Sequence, residues 1–222
     1  MSKKAKKINP YAKKKKKDSR PLIVAIVVIL CLCALVAGLI LRNKNDAPAV
    51  PGTAELMTVT HRVEIDIQDY GTVKAELYGD MAPITVDNFV KLAKEGFYDG
   101  LTFHRIISGF MIQGGDPQGN GYGGSDVTIK GEFSANGVNN PLAHTRGVLS
   151  MARSAAYNSA SSQFFIMHKD YPSLNGQYAA FGKVTEGIEI VDQICAKTPV
   201  IDRNGSVAKA NQPVITAVRV VE

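Results

Sequence analysis

The chain has 222 residues, 45% of them apolar, which is enough for one domain with a hydrophobic core plus additional segments. The net charge of +6 comes from residues 1–20, whose nine Lys, one Arg and one Asp carry +9 and leave −3 for the other 202 residues. This mildly acidic remainder argues against a nucleic-acid-binding domain. Of three Cys, only Cys195 lies outside the apolar segment described next, so no intrachain disulfide can staple the folded part.

Residues 22–41, LIVAIVVILCLCALVAGLIL, run without a charged or strongly polar side chain. Twenty residues at 1.5 Å rise match the ~30 Å hydrocarbon core of a bilayer. Ten basic residues precede the segment and only Arg42 and Lys44 closely follow it, so the positive-inside rule predicts a cytoplasmic N-terminus. We expect a basic cytoplasmic tail at 1–21, a single transmembrane helix at 22–41, and a plasma-membrane protein whose remaining chain lies outside the cytoplasm.

Other interpretations of this region stay open. The small residues of 34–38 would suit the cleavage site of a signal peptide, although a signal-peptide core usually spans only about 7–15 residues. A buried core helix is a further alternative. The Lys13–Lys17 run would either contact anionic lipid headgroups, at ~1 kcal/mol per residue, or act only as a topology signal.

A linker and a β-rich domain follow. Residues 42–58 are rich in Pro, Ala and small polar residues and show no hydrophobic period, which is typical of a linker. From residue 59 to 222 the pattern changes. Alternating apolar residues predict a strand over 61–68 and, after a turn at 69–71, a second strand that completes a hairpin.

Two helices and several short strands are predicted in the rest of this domain. The first helix covers 84–94, with Pro83 in its first turn and Gly96 as its C-cap, and the second covers about 186–196. Short apolar runs occupy 101–107, 110–113, 127–129, 147–152, 163–167 and 178–184, and a final strand covers 214–221. Many short strands and only two helices predict a closed antiparallel barrel.

Two further patterns carry little functional weight. The sequence GNGYGG at 119–124 matches a dinucleotide-binding fingerprint, but a β-like run follows it where a helix is required, so we expect a surface loop. His104, His144 and His168 are too scattered to predict a metal site. We expect each of them to be a structural histidine with a hydrogen-bond partner.

Three blocks combine Arg, large aromatics, Met and Gln: FHRIISGFMIQGGD at 103–116, GVLSMAR at 147–153, and SSQFFI at 161–166 with FGKV at 181–184. With these blocks in this order and spacing, residues 59–222 closely resemble the cyclophilin family of peptidyl-prolyl cis–trans isomerases. The resemblance implies an eight-stranded antiparallel barrel capped by two helices, with the active groove on its outer face and no cofactor or metal.

The resemblance also implies roles for individual residues. Arg105 would be the catalytic residue, and His104 would support the floor of the groove. The pocket for the substrate proline ring would be lined by Phe110, Met111, Phe165, Leu174 and Tyr178. The peptide chain would be held by Gln113 and the backbone of Ala152 and Arg153, with Gln163 in the same groove. Taken singly, Phe110, Met111 and Phe165 could instead be ordinary core, and Arg105 could be a surface salt-bridge partner.

The chemistry of X–Pro rotation fits these residue types. The barrier of ~18–20 kcal/mol arises because the amide nitrogen shares its lone pair with the carbonyl. No covalent bond breaks, so the enzyme needs only to favour the twisted amide over both planar forms. A guanidinium beside the nitrogen donates a hydrogen bond that forms fully only in that transition state. A rate gain of about 10⁵ requires only ~7 kcal/mol of such differential stabilisation.

Four positions depart from the common family pattern, among them Ser154, which stands where a small apolar residue is usual. Ser173 stands where many cyclophilins carry Trp, so we expect weak cyclosporin binding; Tyr178 replaces a common His, as is frequent in bacterial members, and Arg153 replaces Asn. We expect a monomeric, membrane-anchored prolyl isomerase of a bacterium with one exposed plasma membrane, acting on exported proline-containing proteins. The alternative is a proline-peptide-binding chaperone module whose isomerase activity is incidental.

Overall fold

The computed structural model of the chain describes residues 57–221. The basic tail, the segment 22–41 and nearly all of the linker lie outside the described residues, so the predictions made for them stay predictions. Within residues 57–221, no helix is both long and apolar enough to cross a membrane.

The two helices are α1 (Pro83–Lys94) and α2 (Ile188–Lys197). The eight strands are β1 (His61–Ile67), β2 (Gly71–Leu77), β3 (Thr102–Ile107), β4 (Met111–Asp116), β5 (Val148–Met151), β6 (Phe164–Met167), β7 (Ala180–Glu186) and β8 (Ile215–Val221).

All eight strands form one antiparallel sheet in the order β3-β4-β6-β5-β7-β2-β1-β8. The sheet curls until its two edge strands approach each other. They join only next to their first residues, where Thr102 bridges Val214 and the N–H of Ile215 donates to the carbonyl of Leu101 at 2.7 Å. The structure is therefore a curled sheet with a short join between its edge strands, and not the fully closed barrel that the sequence predicts.

The join between β3 and β8 stays short for two reasons. Pro213, which accepts from the Phe103 N–H at 2.9 Å, has no N–H to donate in return. Farther along β3, the segment 205–207 takes the place of β8: the N–H of Ile106 donates to Gly205, and the N–H of Val207 donates to His104. Because the segment 205–207 pairs with β3, the preceding residue, Asn204, lies at the outer face of β3.

Alternating side chains divide the sheet into a core face and a solvent face. Val63, Ile65 and Ile67 of β1 point into the core, as the sequence predicted. Aliphatic side chains and a cluster of aromatic rings fill the inside of the curl. Phe89 of α1 packs against Tyr98, Phe164 and Phe181, with ring centroids 5.0–5.3 Å apart.

Helix α1 starts at Pro83, in agreement with the prediction of a first-turn proline. The buried carboxylate of Glu132 accepts hydrogen bonds from the N–H groups of Ile84 (3.1 Å) and Thr85 (2.8 Å). A residue distant in sequence thus satisfies first-turn donors that have no partner within the helix. At the other end Glu95, not Gly96, is the C-cap, and Gly96 follows with φ 68°. The helix ends at Lys94, as predicted, and the left-handed glycine lies one residue after the cap.

The predicted strand at 127–129 does not form. Only Ile129 makes a bridge, to Ala160. The side chain of Val127 is 62% exposed, so this run has a single buried apolar residue and no face that a sheet could bury.

Replacing Phe89 by Ala should lower the free energy of unfolding of residues 57–222 by about 3–5 kcal/mol, because the ring is fully buried among three other aromatics. Urea denaturation measures this change. Tyr122→Ala is the matched control, since that ring is 91% exposed and its removal should change stability by less than about 0.5 kcal/mol. Equal losses in the two variants would contradict this description of the core.

Candidate active site

The register of three neighbouring strands brings polar and aromatic side chains together on the outer face of the sheet. Arg105 of β3 pairs with Gln113 of β4, and Gln113 pairs with Phe165 of β6. The register shifts between Phe103 and Arg105, so that the side chains of both His104 and Arg105 reach the same groove.

The Arg105 guanidinium is held in place from two sides. Its Nε donates to the carbonyl oxygen of Asn204 at 2.8 Å, and its Nη2 donates to Asn204 Oδ1 at 3.1 Å. From the other side, Nη1 donates to Gln113 Oε1 at 3.2 Å. Burial lowers the pKa of Arg105, but an arginine side chain stays protonated in proteins. The result is a fixed, permanently charged donor.

Gln113 is itself fixed by a second amide. Its Nε2 donates to Gln163 Oε1 at 2.8 Å. Gln163 Nε2 donates in turn to the carbonyls of Gly121 (3.1 Å) and Gly123 (2.7 Å). The predicted site residues are thus linked by hydrogen bonds to the loop at 117–124, which lies at the surface, in agreement with the prediction for 119–124.

A groove of about 850 Å³ lies over these residues. Ten of the eleven predicted site residues line it: His104, Arg105, Phe110, Met111, Gln113, Ala152, Arg153, Phe165, Leu174 and Tyr178. Gln163 is the exception. It lines an adjoining pocket of about 200 Å³, which shares Gln113, Ala152 and Arg153 with the groove.

One end of the groove is apolar. Met111 and Phe165 are almost fully buried there, and the Tyr178 ring meets the Phe165 ring edge-on at 5.9 Å. His144 stacks behind Phe165 at 6.1 Å, and its Nε2 lies 3.0 Å from Ser150 Oγ. Burial lowers the pKa of His144 to about 4, so the ring that supports this end is neutral at pH 7. A proline-sized ring fits such an environment.

His104 differs from the other two histidines of the blocks. His144 and His168 have hydrogen-bond partners, as predicted. Both ring nitrogens of His104 are buried and lack a partner among the described residues, so the prediction of a bonded structural histidine is wrong for it. Burial lowers the pKa of His104, and the neutral ring lines the groove beside Arg105.

Sequence reasoning missed two contributors to the site. The first is Asn204, which lies in no predicted helix or strand and reaches Arg105 only because 205–207 pairs with β3.

The second is Asp116, whose carboxylate accepts hydrogen bonds from the N–H groups of Gln118 (2.8 Å), Asn120 (3.0 Å) and Gly121. Burial alone would raise the pKa of Asp116, but these backbone donors lower it overall. An Asp that ends a strand before a Gly-rich loop was the available signal.

A charged network anchors the turn that carries Phe110. The N–H of Gly109 donates to His168 Nδ1 at 2.8 Å, so the proton of a neutral His168 lies on Nε2, which is 3.0 Å from Asp192 Oδ1. Arg146 bonds both carboxylate oxygens of Asp192 at 2.7 Å. Helix α2 thereby fixes the position of one wall of the groove.

Comparison with known proteins identifies the family. The family described as cyclophilin type peptidyl-prolyl cis-trans isomerase/CLD matches residues 62–220. The chain belongs to the cyclophilin-type peptidyl-prolyl cis–trans isomerases. Both the family and the enzymatic activity predicted from the sequence are confirmed.

Individual cyclophilins show how far the likeness extends. Peptidyl-prolyl cis-trans isomerase B of Bacillus subtilis is 53% identical over 123 residues, covering 55% of this chain and 82% of the relative. A Helicobacter pylori peptidyl-prolyl cis-trans isomerase is 48% identical over 126 residues, covering 56% and 75%. A crystal structure of a Cryptosporidium parvum cyclophilin type isomerase, obtained in the presence of the dipeptide Ala-Pro, covers 72% of this chain and 99% of its own, with TM-score 0.64 and 33% identity.

In this cyclophilin, His168→Ala should raise KM for a proline peptide about fivefold with a smaller change in kcat. The reason is that the Gly109 turn loses a hydrogen bond worth ~1 kcal/mol, so Phe110 is held less firmly against the ligand, although its carbonyl still accepts from the backbone N–H of residue 168. Steady-state kinetics with a proline tetrapeptide measures both constants.

Two variants sharpen this test. His168→Asn offers an oxygen acceptor to the Gly109 N–H and should recover most of the wild-type KM. Lys169→Ala removes the neighbouring exposed side chain and should leave both constants unchanged. A merely structural role is indicated if His168→Ala lowers Tm while KM stays at the wild-type value.

Proposed function

We propose that this cyclophilin accelerates X–Pro rotation in exported proteins by donating a hydrogen bond from Arg105 to the proline nitrogen of a twisted amide. The observation that carries the proposal is the fixed guanidinium beside an apolar pocket in one groove. Phe110, Met111, Phe165, Leu174 and Tyr178 would hold the proline ring while the preceding carbonyl turns.

The hydrogen-bond count of Arg105 supports this role. A guanidinium has five N–H donors. Three of them are used by Asn204 and Gln113, and two have no acceptor among residues 57–221. The three bonds fix the plane of the guanidinium, and the two remaining donors are available to a substrate without any rearrangement of the side chain.

The proline nitrogen is a poor acceptor in the planar amide because its lone pair is delocalised. The lone pair returns to nitrogen as the bond twists, so the bond from Arg105 becomes strong only near the transition state. A charge-assisted hydrogen bond in a partly desolvated groove contributes about 2–4 kcal/mol. Anchoring of the ring in one orientation would supply much of the rest of the ~7 kcal/mol.

The N-terminal part of the chain supports a location for the clients outside the cytoplasm. The uncharged segment 22–41 and the charge of +9 on residues 1–20 support a single-pass plasma-membrane anchor with the catalytic domain outside the cytoplasm. The clients would then be chains that emerge unfolded after export. Folding limited by X–Pro isomerisation takes tens to hundreds of seconds without a catalyst.

Arg105→Ala should lower kcat/KM for a proline-limited refolding reaction by about 100-fold or more, because the bond made only in the transition state is lost. Arg62→Ala is the matched control: it removes an exposed arginine from β1, outside the groove, and should keep wild-type activity. A wild-type kcat/KM for Arg105→Ala would contradict the mechanism.

The proposed topology is tested by adding protease to intact cells that express the full chain with a tag at each end. The C-terminal tag should be digested while the N-terminal tag is protected until the cells are lysed. Protection of the C-terminal tag in intact cells would contradict an extracytoplasmic domain.

A further inference from the structure

The groove is positively charged although the protein around it is not. Its lining contains Arg105, Arg153 and Lys209 and no Asp or Glu, and the adjoining pocket also lacks a carboxylate. Residues 21–222 nevertheless sum to −3. A cationic groove on a mildly acidic domain is a local feature of the binding surface.

Arg153, like Arg105, is held in a fixed position by its neighbours. Its guanidinium carbon lies 5.0 Å from the Phe133 ring, 5.0 Å from the Tyr157 ring and 4.6 Å from the Tyr178 ring. Three aromatic faces attract the charge and restrict the side chain to one position at the rim. A charge that is already fixed loses little conformational entropy when a ligand binds.

The charge of Arg153 is not neutralised by the protein. Nε and Nη2 donate to the carbonyl of Gln177 at 3.0 and 2.8 Å, and Nη1 donates to the carbonyl of Ser154 at 2.9 Å. All these acceptors are neutral. In the part of the chain that the structure describes, Arg153 and Lys209 form no ion pair with a carboxylate. Two carboxylates lie close to the groove but outside its lining: Asp202, near Arg105, accepts from the Ser206 N–H, and Asp116 accepts from N–H groups of the loop at 117–124.

We propose that this groove prefers client segments that carry Asp or Glu within a few residues of the proline, and that Arg153 is the main specificity-determining residue. The inference rests on the proposed function, since it concerns the substrate of the same site. Because most N–H groups of Arg153 are used by carbonyls, the attraction acts mainly through charge, and it decreases as salt increases.

A purely structural role makes a different prediction. Arg153 also donates to the carbonyl of Gln177 and lies over the ring of Tyr178, and these contacts stabilise one wall of the apolar pocket. If that were its only role, loss of Arg153 would impair all peptides equally. The charge of the residue beside proline therefore separates the two roles.

The test uses the full-length protein and a series of otherwise identical proline tetrapeptides with Glu, Gln or Lys on either side of the X–Pro unit. The value of kcat/KM is measured at about 0.01 M and about 1 M ionic strength, where the Debye length is ~30 Å and ~3 Å. We expect the wild-type Glu:Lys ratio to be about 3–10 at low salt on at least one side of proline, and close to one at high salt.

Three variants complete the experiment. Arg153→Gln should abolish most of the Glu:Lys ratio, and Arg153→Lys should retain part of it. Lys183→Gln changes the net charge equally but lies exposed on β7, outside the groove, and should leave the ratio unchanged.

Two results would overturn the charge preference: equal kcat/KM for the Glu and Lys peptides in the wild type, or an equal loss for every peptide in Arg153→Gln. An inactive wild type on the neutral Gln peptide would instead refute the proposed function itself.

Discussion

The chain of hydrogen bonds from Asn204 through Arg105 and Gln113 to Gln163 is the interaction on which this site depends. It joins four separate parts of the sequence: the segment after α2, then β3, β4 and the residue before β6. Each link leaves the next side chain in one orientation, so the guanidinium is positioned before any ligand arrives. Such preorganisation is what electrostatic catalysis requires, because reorientation during the reaction would cost free energy.

The curled sheet makes this arrangement possible by separating two tasks. One face of the sheet lines the core, where Phe164 of β6 and Phe181 of β7 pack against Phe89, and it gives the domain its stability. The opposite face of β3, β4 and β6 carries Arg105 and Gln113, polar side chains that a core would not tolerate, beside the aromatic ring of Phe165. Two further anchors fix the walls of the groove, the buried carboxylate of Asp116 on the loop side and the His168–Asp192 pair on the Phe110 side.

Local patterns predicted most of the elements, and long-range contacts account for the errors. The hairpin of β1 and β2 and the start of α1 were predictable, because alternation and a first-turn proline act within a few residues. Glu132, the residue that satisfies the N-terminus of α1, lies 47 residues from Thr85, and no local signal connects them. The run at 127–129 had the right composition for a strand, but Val127 found no surface to pack against.

The candidate site shows the same division between residues predicted from local patterns and residues positioned by long-range contacts. The residues within the three blocks were identified together with the groove that they line. Asn204 was missed because its position depends on the pairing of 205–207 with β3, which replaces the expected edge pairing with β8. His104 was expected to have a hydrogen-bond partner, because a buried polar ring usually has one. The register shift in β3 instead turns it toward the groove.

The most direct test of catalysis by Arg105 is two-dimensional exchange NMR of a proline peptide in the presence of substoichiometric protein. The wild type should produce cis–trans exchange peaks. Arg105→Gln should bind the peptide with similar affinity, as judged by chemical-shift titration, but produce little exchange, because the lost interaction belongs to the twisted amide rather than to the bound planar forms. Exchange at the wild-type rate in Arg105→Gln would contradict the central role of this guanidinium.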